Sequence, residues 1–172
     1  MARKPKDKPR VFVDANILIR GLTLPRFPYE ILRAGTLGKI HLVTSTTTLA
    51  RARHYIETKF VAHVERLERF LATGIIEIID DPPDVEAQAN MDLVRDEDDV
   101  PVALAAIKAR AKYLVSTDLD LTVMDKTTEK LRRQITPIKP GDLLKGLLGW
   151  TSKELSRIEK RTWKELETER DE

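Results

Sequence analysis

Cysteine is absent from the 172 residues of this chain, so disulfides, zinc–thiolate sites and thiol nucleophiles are excluded. This absence suits a reducing compartment, and we expect a cytoplasmic protein. Aromatic residues make up only 5% of the sequence, which predicts a core of aliphatic side chains. No window approaches 18 apolar residues, and the basic start is not followed by the uninterrupted apolar h-region of a signal peptide. We therefore expect neither a membrane span nor a secretory signal.

Charge of one sign does not dominate the chain, since 30 Lys and Arg residues stand against 28 Asp and Glu residues. This balance alone does not indicate a nucleic-acid partner. The first ten residues, however, carry five basic residues and one acid, a local charge of +4. We interpret residues 1–9 as a basic flexible tail. This tail either keeps the chain soluble or binds along the phosphates of a nucleic acid.

The apolar runs predict strands that alternate with helices. Residues 11–19 are interpreted as a buried strand that runs into a turn at Asp14–Asn16. Further strands are predicted at 40–45, 75–80, 113–116 and 134–138, and helices at 29–37, 46–57, 59–73, 84–94, 100–111 and 142–148. This order favours a three-layer α/β/α sandwich with a central, mostly parallel sheet over residues 10–148.

Residues 149–172 are predicted to form a C-terminal helical extension, with one helix at 151–170. Thr151 and Glu154 fit a capping box at its start. An apolar stripe follows, made of Leu155, Ile158, Thr162 and Leu166, with Trp163 at its margin. The stripe either packs on the domain itself or docks a second copy or a partner helix.

Three aspartates stand where predicted elements begin or end. Asp14 and Asp118 follow predicted strands, and Asp99 opens the apolar helix 100–111. In an open parallel sheet, ligands bind beyond the carboxyl ends of the strands. Three carboxylates that met there would repel one another and need a counter-charge. A divalent cation with oxygen ligands, Mg²⁺ or Mn²⁺, is the expected one.

Each acid also has a simpler structural interpretation. The D-x-N sequence at Asp14 is typical of an Asx-turn, and the acidic run 96–99 is typical of a helix start. An aspartate near a strand end is ordinary in loops. We expect supporting roles for residues beside the three acids, namely Asn16, Asp98, Ser116 and Asp120, and a substrate contact from Thr117.

Two segments resemble the most recognisable blocks of the PIN domain family: VFVDANILIRGL, and later DDVPVALAAIKARAKYLVSTDLDL. The resemblance covers roughly residues 10–148. It implies an α/β sandwich that acts as a metal-dependent ribonuclease. Many prokaryotic members are toxins of the VapC type, which a small antitoxin holds inactive. A homodimer and an RNA substrate are further expectations from the family.

The resemblance also assigns roles to individual positions. The first acid of the family falls on Asp14, and its accompanying polar residue falls on Asn16. The acid at the helix start falls on Asp99, and the acid after the late strand falls on Asp118. The Ser or Thr that precedes this last acid falls on Ser116. The resemblance thus implies that Asp14, Asp99 and Asp118 are the catalytic metal ligands.

One position departs from the family pattern. The family usually places a Glu in the helix after its second strand, where this chain has Arg51. Glu57 is six helical steps further on, about 600°, so it points roughly 120° away from the expected face. Arg51 could pair with an aspartate or hold a phosphate. It would also lower the affinity of the site for a cation.

Three hypotheses follow. The first is an RNA endonuclease, possessing a cation site formed by the three aspartates. The second is a degenerate protein of the same fold that binds RNA or a protein without cleaving, because Arg51 replaces the family's Glu. The third is a phosphoacceptor signalling domain, which needs an acidic pair after the first strand and a Lys after a late one. Ala15 and Asn16 follow Asp14 here, and Asp118 closes the late strand, so the third hypothesis is disfavoured.

Overall fold

The computed structural model describes residues 8–171, so most of the basic tail expected at 1–9 lies outside the described residues. Five strands form one sheet in the order β3-β2-β1-β4-β5, and every neighbouring pair is parallel. The strands are β1 (Arg10–Val13), β2 (His41–Ser45), β3 (Glu77–Ile79), β4 (Tyr113–Val115) and β5 (Thr136–Ile138). The predicted parallel sheet is confirmed.

Eleven α-helices connect and follow these strands within residues 8–171. They are α1 (Ala15–Thr23), α2 (Phe27–Thr36), α3 (Thr46–Lys59), α4 (Val64–Ala72), α5 (Asp84–Ala89), α6 (Val100–Lys108), α7 (Leu119–Thr122), α8 (Glu129–Arg132), α9 (Pro140–Gly146), α10 (Ser152–Ile158) and α11 (Trp163–Asp171). None of them combines the length and the apolar character that a membrane span requires.

The central strand β1 divides the core into two layers. Val11 and Val13 belong to an apolar cluster with residues of α1, α2, α3, α4 and α9. Phe12 belongs to a second cluster, with residues of α6, α7 and α8. All three side chains are fully buried. Because alternate residues of a strand point to opposite faces, the two clusters lie on opposite faces of the sheet. The predicted α/β/α sandwich is therefore confirmed.

The segment after β1 differs from the sequence prediction. We expected residues 11–19 to be a strand that ends in a turn at Asp14–Asn16, but α1 begins at Ala15. Ile17, Leu18 and Leu22 recur at helical spacing and are buried on the sheet. The apolar run VFV and the apolar run ILI therefore belong to different elements, and the aspartate between them is the boundary.

The C-terminal extension contains two helices, so the single helix predicted at 151–170 is wrong. The capping box at the start of α10 is confirmed. The Glu154 N–H donates to Thr151 Oγ1 at 3.1 Å, and the Thr151 N–H donates to Glu154 Oε1 at 3.1 Å. Ile158 and Leu166 are buried. The apolar stripe thus packs on the chain itself.

A buried arginine joins the extension to the domain. Arg161, between α10 and α11, is only 3% exposed. Its Nη2 donates to Glu30 Oε1 at 2.9 Å, and its Nε donates to the Pro25 carbonyl at 2.8 Å. Trp163 adds a hydrogen bond from its Nε1 to the Thr23 carbonyl at 3.0 Å. These contacts join two segments that are more than 130 positions apart in the sequence.

Replacing Arg161 by Ala should destabilise the protein by about 3 kcal/mol, because a buried charge that loses its partner is costly. Glu30 would keep only the partly exposed Arg33, whose Nη1 lies 3.3 Å from Glu30 Oε2. Urea unfolding of the purified variant measures this loss. Arg69→Ala is the matched control, since Arg69 pairs with Glu65 at the surface and its loss should cost less than about 1 kcal/mol. Equal losses in the two variants would contradict the buried role of Arg161.

Candidate active site

The site lies where the order of the strands reverses direction. The chain passes from β1 to β2 on one side, while β4 pairs with the other side of β1. Val13 and Val115 are register partners, and the Asp14 N–H donates to the Val115 carbonyl at 3.1 Å. The residues that follow β1 and β4 are therefore neighbours at the carboxyl edge of the sheet. A crevice at this kind of reversal is the usual place for a ligand in open parallel sheets.

Asp14 is buried at this edge and has defined partners for both carboxylate oxygens. Its Oδ1 accepts from the Ala15 N–H at 2.8 Å, which caps α1. Its Oδ2 accepts from Ser116 Oγ at 2.7 Å and from Asn16 Nδ2 at 3.3 Å. Burial raises the pKa of Asp14, and the hydrogen bonds from Ser116 and Ala15 oppose that rise. The side chain is held in a single orientation by these contacts.

Ser116 and Asn16 connect the two strand ends. Ser116 Oγ accepts from Asn16 Nδ2 at 3.2 Å and from the Asp118 N–H at 3.0 Å. Asn16 Oδ1 accepts from the Thr117 N–H at 3.1 Å. Since Ser116 Oγ also donates to Asp14, its donor and both its acceptor positions are occupied. The expected supporting residues Asn16 and Ser116 thus lie against Asp14 and fix the loop that carries Asp118.

Asp99 lies beside Asp118 at the start of α6. The pKa of Asp99 is raised to about 8, first by burial, then by a hydrogen bond shared with Asp118 and by the negative charges of Asp118, Asp96 and Asp14. Asp99 Oδ2 is buried and has no hydrogen-bond partner among the described residues. The three aspartates predicted from sequence are therefore near enough to repel one another, and one carboxylate oxygen has no protein donor.

Two further acids extend the group. Carboxylate oxygens of Asp96, Asp99 and Asp120 all lie within 4.8 Å of one another, and this set does not include Asp14 or Asp118. Asp120 was expected as a supporting residue, whereas Asp96 was not singled out, although it begins the acidic run 96–99. Asp98 is exposed, and its backbone N–H donates to Asp96 Oδ1 at 3.0 Å. The structure therefore brings Asp96 to the group, and it leaves the side chain of Asp98 outside.

The donor set fits a hard divalent cation. Every candidate ligand is a carboxylate oxygen, which Mg²⁺ and Mn²⁺ prefer. The unpartnered Oδ2 of Asp99 is the observation that tests this fit, because a cation would supply the partner that the protein does not. Arg95 already pairs with Asp120 through its guanidinium group at the outer rim. Asp14, Asp96, Asp99 and Asp118 form no ion pair with another residue in the described part of the chain.

Arg51 stands near the site in the first half of α3. Its side chain is exposed, and its charge lowers the pKa of Asp14, in opposition to the effect of burial. Glu57 lies elsewhere on α3, where it lines a separate shallow depression with Ala50 and His54. Arg51 is thus the α3 residue whose charge acts on Asp14, whereas Glu57 lines a different part of the surface.

The chain belongs to the PIN domain family. The sequence profile of the family, described as the PIN domain, matches residues 10–120, which is more than half of the chain. No curated protein matches the sequence.

Solved structures share this fold at low sequence identity. PAE2754 from Pyrobaculum aerophilum is 16% identical, with a TM-score of 0.55 over 83% of this chain and 97% of that one. VapBC2 from Rickettsia felis, solved bound to a DNA fragment from its promoter, is 17% identical, with a TM-score of 0.50 over 76% of this chain and 98% of that one. At such identities, the likeness establishes the fold.

The stability of the metal-free protein should fall as the pH rises from about 4 to about 8. In this range folded Asp99 keeps a proton that the unfolded chain has released, because its folded-state pKa of about 8 exceeds the ordinary value of 3.8. Asp99→Asn should remove this dependence. At pH 8 we expect it to stabilise the protein by about 1 kcal/mol after solvent screening, or about 2–4 °C in Tm.

Thermal unfolding in chelator at pH 5 and pH 8 measures this effect. Asp98→Asn is the matched control, since it removes an exposed neighbouring charge and should leave the pH dependence intact. A pH dependence that is unchanged in Asp99→Asn would contradict the assignment.

Proposed function

We propose that this protein is a metal-dependent endoribonuclease of the PIN type, which hydrolyses RNA phosphodiesters. The observation that carries the proposal is the group of acids at this edge of the sheet, where the charges of Asp118 and Asp14 raise the pKa of Asp99 and where Asp99 Oδ2 has no partner among the described residues. A bound Mg²⁺ or Mn²⁺ supplies the Lewis acidity that lowers the pKa of water and neutralises charge on a phosphate. Family membership supports hydrolase chemistry at this crevice.

The side chains of the site have separable tasks in this proposal. Asp14, Asp99 and Asp118 hold the cation. Ser116 keeps the Asp14 carboxylate in one orientation through its 2.7 Å hydrogen bond. Asn16 donates to that same carboxylate and accepts from the Thr117 N–H, so it fixes the distance between the two strand ends. Such supporting hydrogen bonds typically raise metal affinity by 10–100-fold.

Arg51 and Thr117 are the proposed substrate contacts of this site. Arg51 is exposed and close enough to Asp14 to affect its pKa, so its guanidinium group can reach a phosphate bound at the crevice. A guanidinium group binds phosphate in a bidentate manner. In this role Arg51 compensates in part for a missing carboxylate, since it neutralises charge on the substrate instead of strengthening the hold on a cation.

The proposed setting is a toxin–antitoxin pair in the cytoplasm. The support is the likeness to VapBC2, a structure that was solved on DNA. A small antitoxin protein is the partner in this proposal, and a homodimer is the proposed assembly. Neither partner is needed for the chemistry, because all of the proposed ligands come from one chain.

A second candidate function is binding of RNA or a protein without cleavage. The replacement of the family's Glu by Arg51 favours it, because the change removes one negative charge and adds a positive one beside Asp14. A site with this charge would bind a cation more weakly and a phosphate more strongly. Metal-dependent cleavage separates the two candidates.

RNA cleavage by the purified protein tests the proposal directly. Structured and unstructured RNA would be incubated with Mn²⁺, Mg²⁺ or chelator. We expect cleavage only with a cation, and a loss of at least 100-fold in Asp99→Asn, because that variant removes one ligand while the fold persists. Glu97→Gln is the control, since Glu97 is exposed in the same acidic run and has no proposed role.

The Arg51→Glu variant decides between the two candidates. Activity in the wild type shows that Arg51 is compatible with cleavage. Activity that appears only in Arg51→Glu would establish the non-cleaving candidate, with the chemistry lost through this one position. Equal cleavage by the wild type and Asp99→Asn would contradict the proposed site and indicate a contaminating nuclease.

A further inference from the structure

A cavity of about 660 Å³ opens directly beside Asp118. We call it the flanking cavity, and its wall includes Thr117 and Leu119, the two neighbours of Asp118 in the chain. The opposite wall comes from the start of α9, which follows β5. Because β4 and β5 are parallel neighbours, the flanking cavity lies at the same edge of the sheet as the acidic site. A molecule bound to the acidic site can therefore extend into it.

Three cationic side chains surround the flanking cavity: Arg20, Arg26 and Lys139. None of them forms an ion pair with another residue in the described part of the chain. Arg26 Nε makes one weak contact, a hydrogen bond of 3.4 Å to the Arg161 carbonyl. Positive charges next to a crevice of carboxylates would hold the phosphates on either side of a cleaved bond, while the carboxylates hold the cation.

An apolar surface lies between these charges. Leu119 is 61% exposed next to the polar site. Phe27 and Pro140 line the same space. An unstacked base presents two apolar faces, and contact with such side chains would shield one of them from water. A base that remains stacked within a duplex could not enter the flanking cavity, because its faces are covered by the neighbouring bases.

Two carboxylates complete the wall, Asp142 and Glu159. Neither is ion-paired with another described residue. An ionised carboxylate only accepts hydrogen bonds, so it matches the amino groups of adenine, cytosine and guanine. Uracil has no amino group, and its N3–H donor lies between two carbonyl oxygens, which a carboxylate repels. The flanking cavity is therefore suited to an amino-bearing base.

We propose that the flanking cavity binds the nucleotide next to the cleaved phosphodiester, with its base against Leu119 and its phosphate held by Lys139 and Arg20. Amino-bearing bases are preferred over uracil through Glu159 and Asp142. This inference rests on the proposed function for its substrate. A second cavity of about 840 Å³ shares Leu119, Lys139 and Asp142 with the first and includes Arg132. It gives the following nucleotides a path beside β5.

Binding of single-stranded RNA in chelator tests the inference without any cleavage. Fluorescence anisotropy would compare Lys139→Gln with Lys112→Gln. Lys112 is also an exposed lysine, and it precedes β4 at the opposite edge of the sheet, so it is a matched control. We expect Lys139→Gln to weaken binding about 3–10-fold and to make the salt dependence less steep by about one phosphate contact. Lys112→Gln should bind as the wild type does.

Base preference is tested with two oligonucleotides, oligocytidine and oligouridine of equal length. The wild type should bind oligocytidine more tightly, and Glu159→Gln should reduce the difference between them. Leu119→Ser should weaken binding to both, since it removes the apolar contact from an exposed position without a change in the core. A wild type without preference, or a preference that Glu159→Gln leaves intact, would overturn the role given to the carboxylates.

The outcomes separate this inference from the proposed function. RNA binding that depends on Lys139, in a protein that never cleaves, would support the flanking cavity while the nuclease proposal fails. Metal-dependent cleavage with equal RNA affinity in Lys139→Gln, Lys112→Gln and the wild type would support the nuclease proposal. The same result would overturn the proposed role of the flanking cavity in RNA binding.

Discussion

Repulsion between carboxylates is the constraint on which this site depends. The pairing of β1 with β4 puts Asp14 and Asp118 at one edge, and α6 brings Asp99 to the same place. Water would normally weaken the repulsion, but Asp14 is 8% exposed and Asp99 is only partly accessible. The raised pKa of Asp99, about 8, expresses this cost, because burial and the neighbouring carboxylates disfavour its ionised form. The two apolar layers and the buried arginine of the extension stabilise the fold that gathers these charges.

The replacement at Arg51 changes the balance of charge at this edge. A carboxylate there would strengthen the hold on a cation and increase the repulsion among the acids. A guanidinium group reduces the repulsion and favours a bound phosphate. Together with the cations around the flanking cavity, Arg51 gives the crevice an acidic centre between basic margins. In the proposed function, the basic margins would hold a polyanionic substrate while one of its phosphodiesters lies beside the cation.

The sequence predicted most of the site because strand ends are easy to recognise and their side chains meet by topology alone. Asp14, Asp118, Asn16 and Ser116 follow apolar runs of strand length, and a parallel order places them together. The start of α1 was missed because the strand and helix are both apolar, with no polar spacer except Asp14 itself. The choice between Asp96 and Asp98 depends on the local turn before α6, which the run of four acids does not specify. The buried Arg161 was also missed, since an arginine in a charged C-terminal segment gives no sign that it is buried.

Calorimetric titration of the chelator-treated protein with Mn²⁺ at pH 7 would show whether these acids form a cation site. The titrations would be repeated in buffers of different ionisation enthalpy, which reveals any proton that is released on binding. We expect saturable binding with release of close to one proton, because a pKa of about 8 leaves Asp99 largely protonated at this pH before a cation binds. In Asp99→Asn we expect much weaker binding, without that proton. No binding at millimolar Mn²⁺, or the same binding in Asp99→Asn as in the wild type, would contradict a cation site at Asp99.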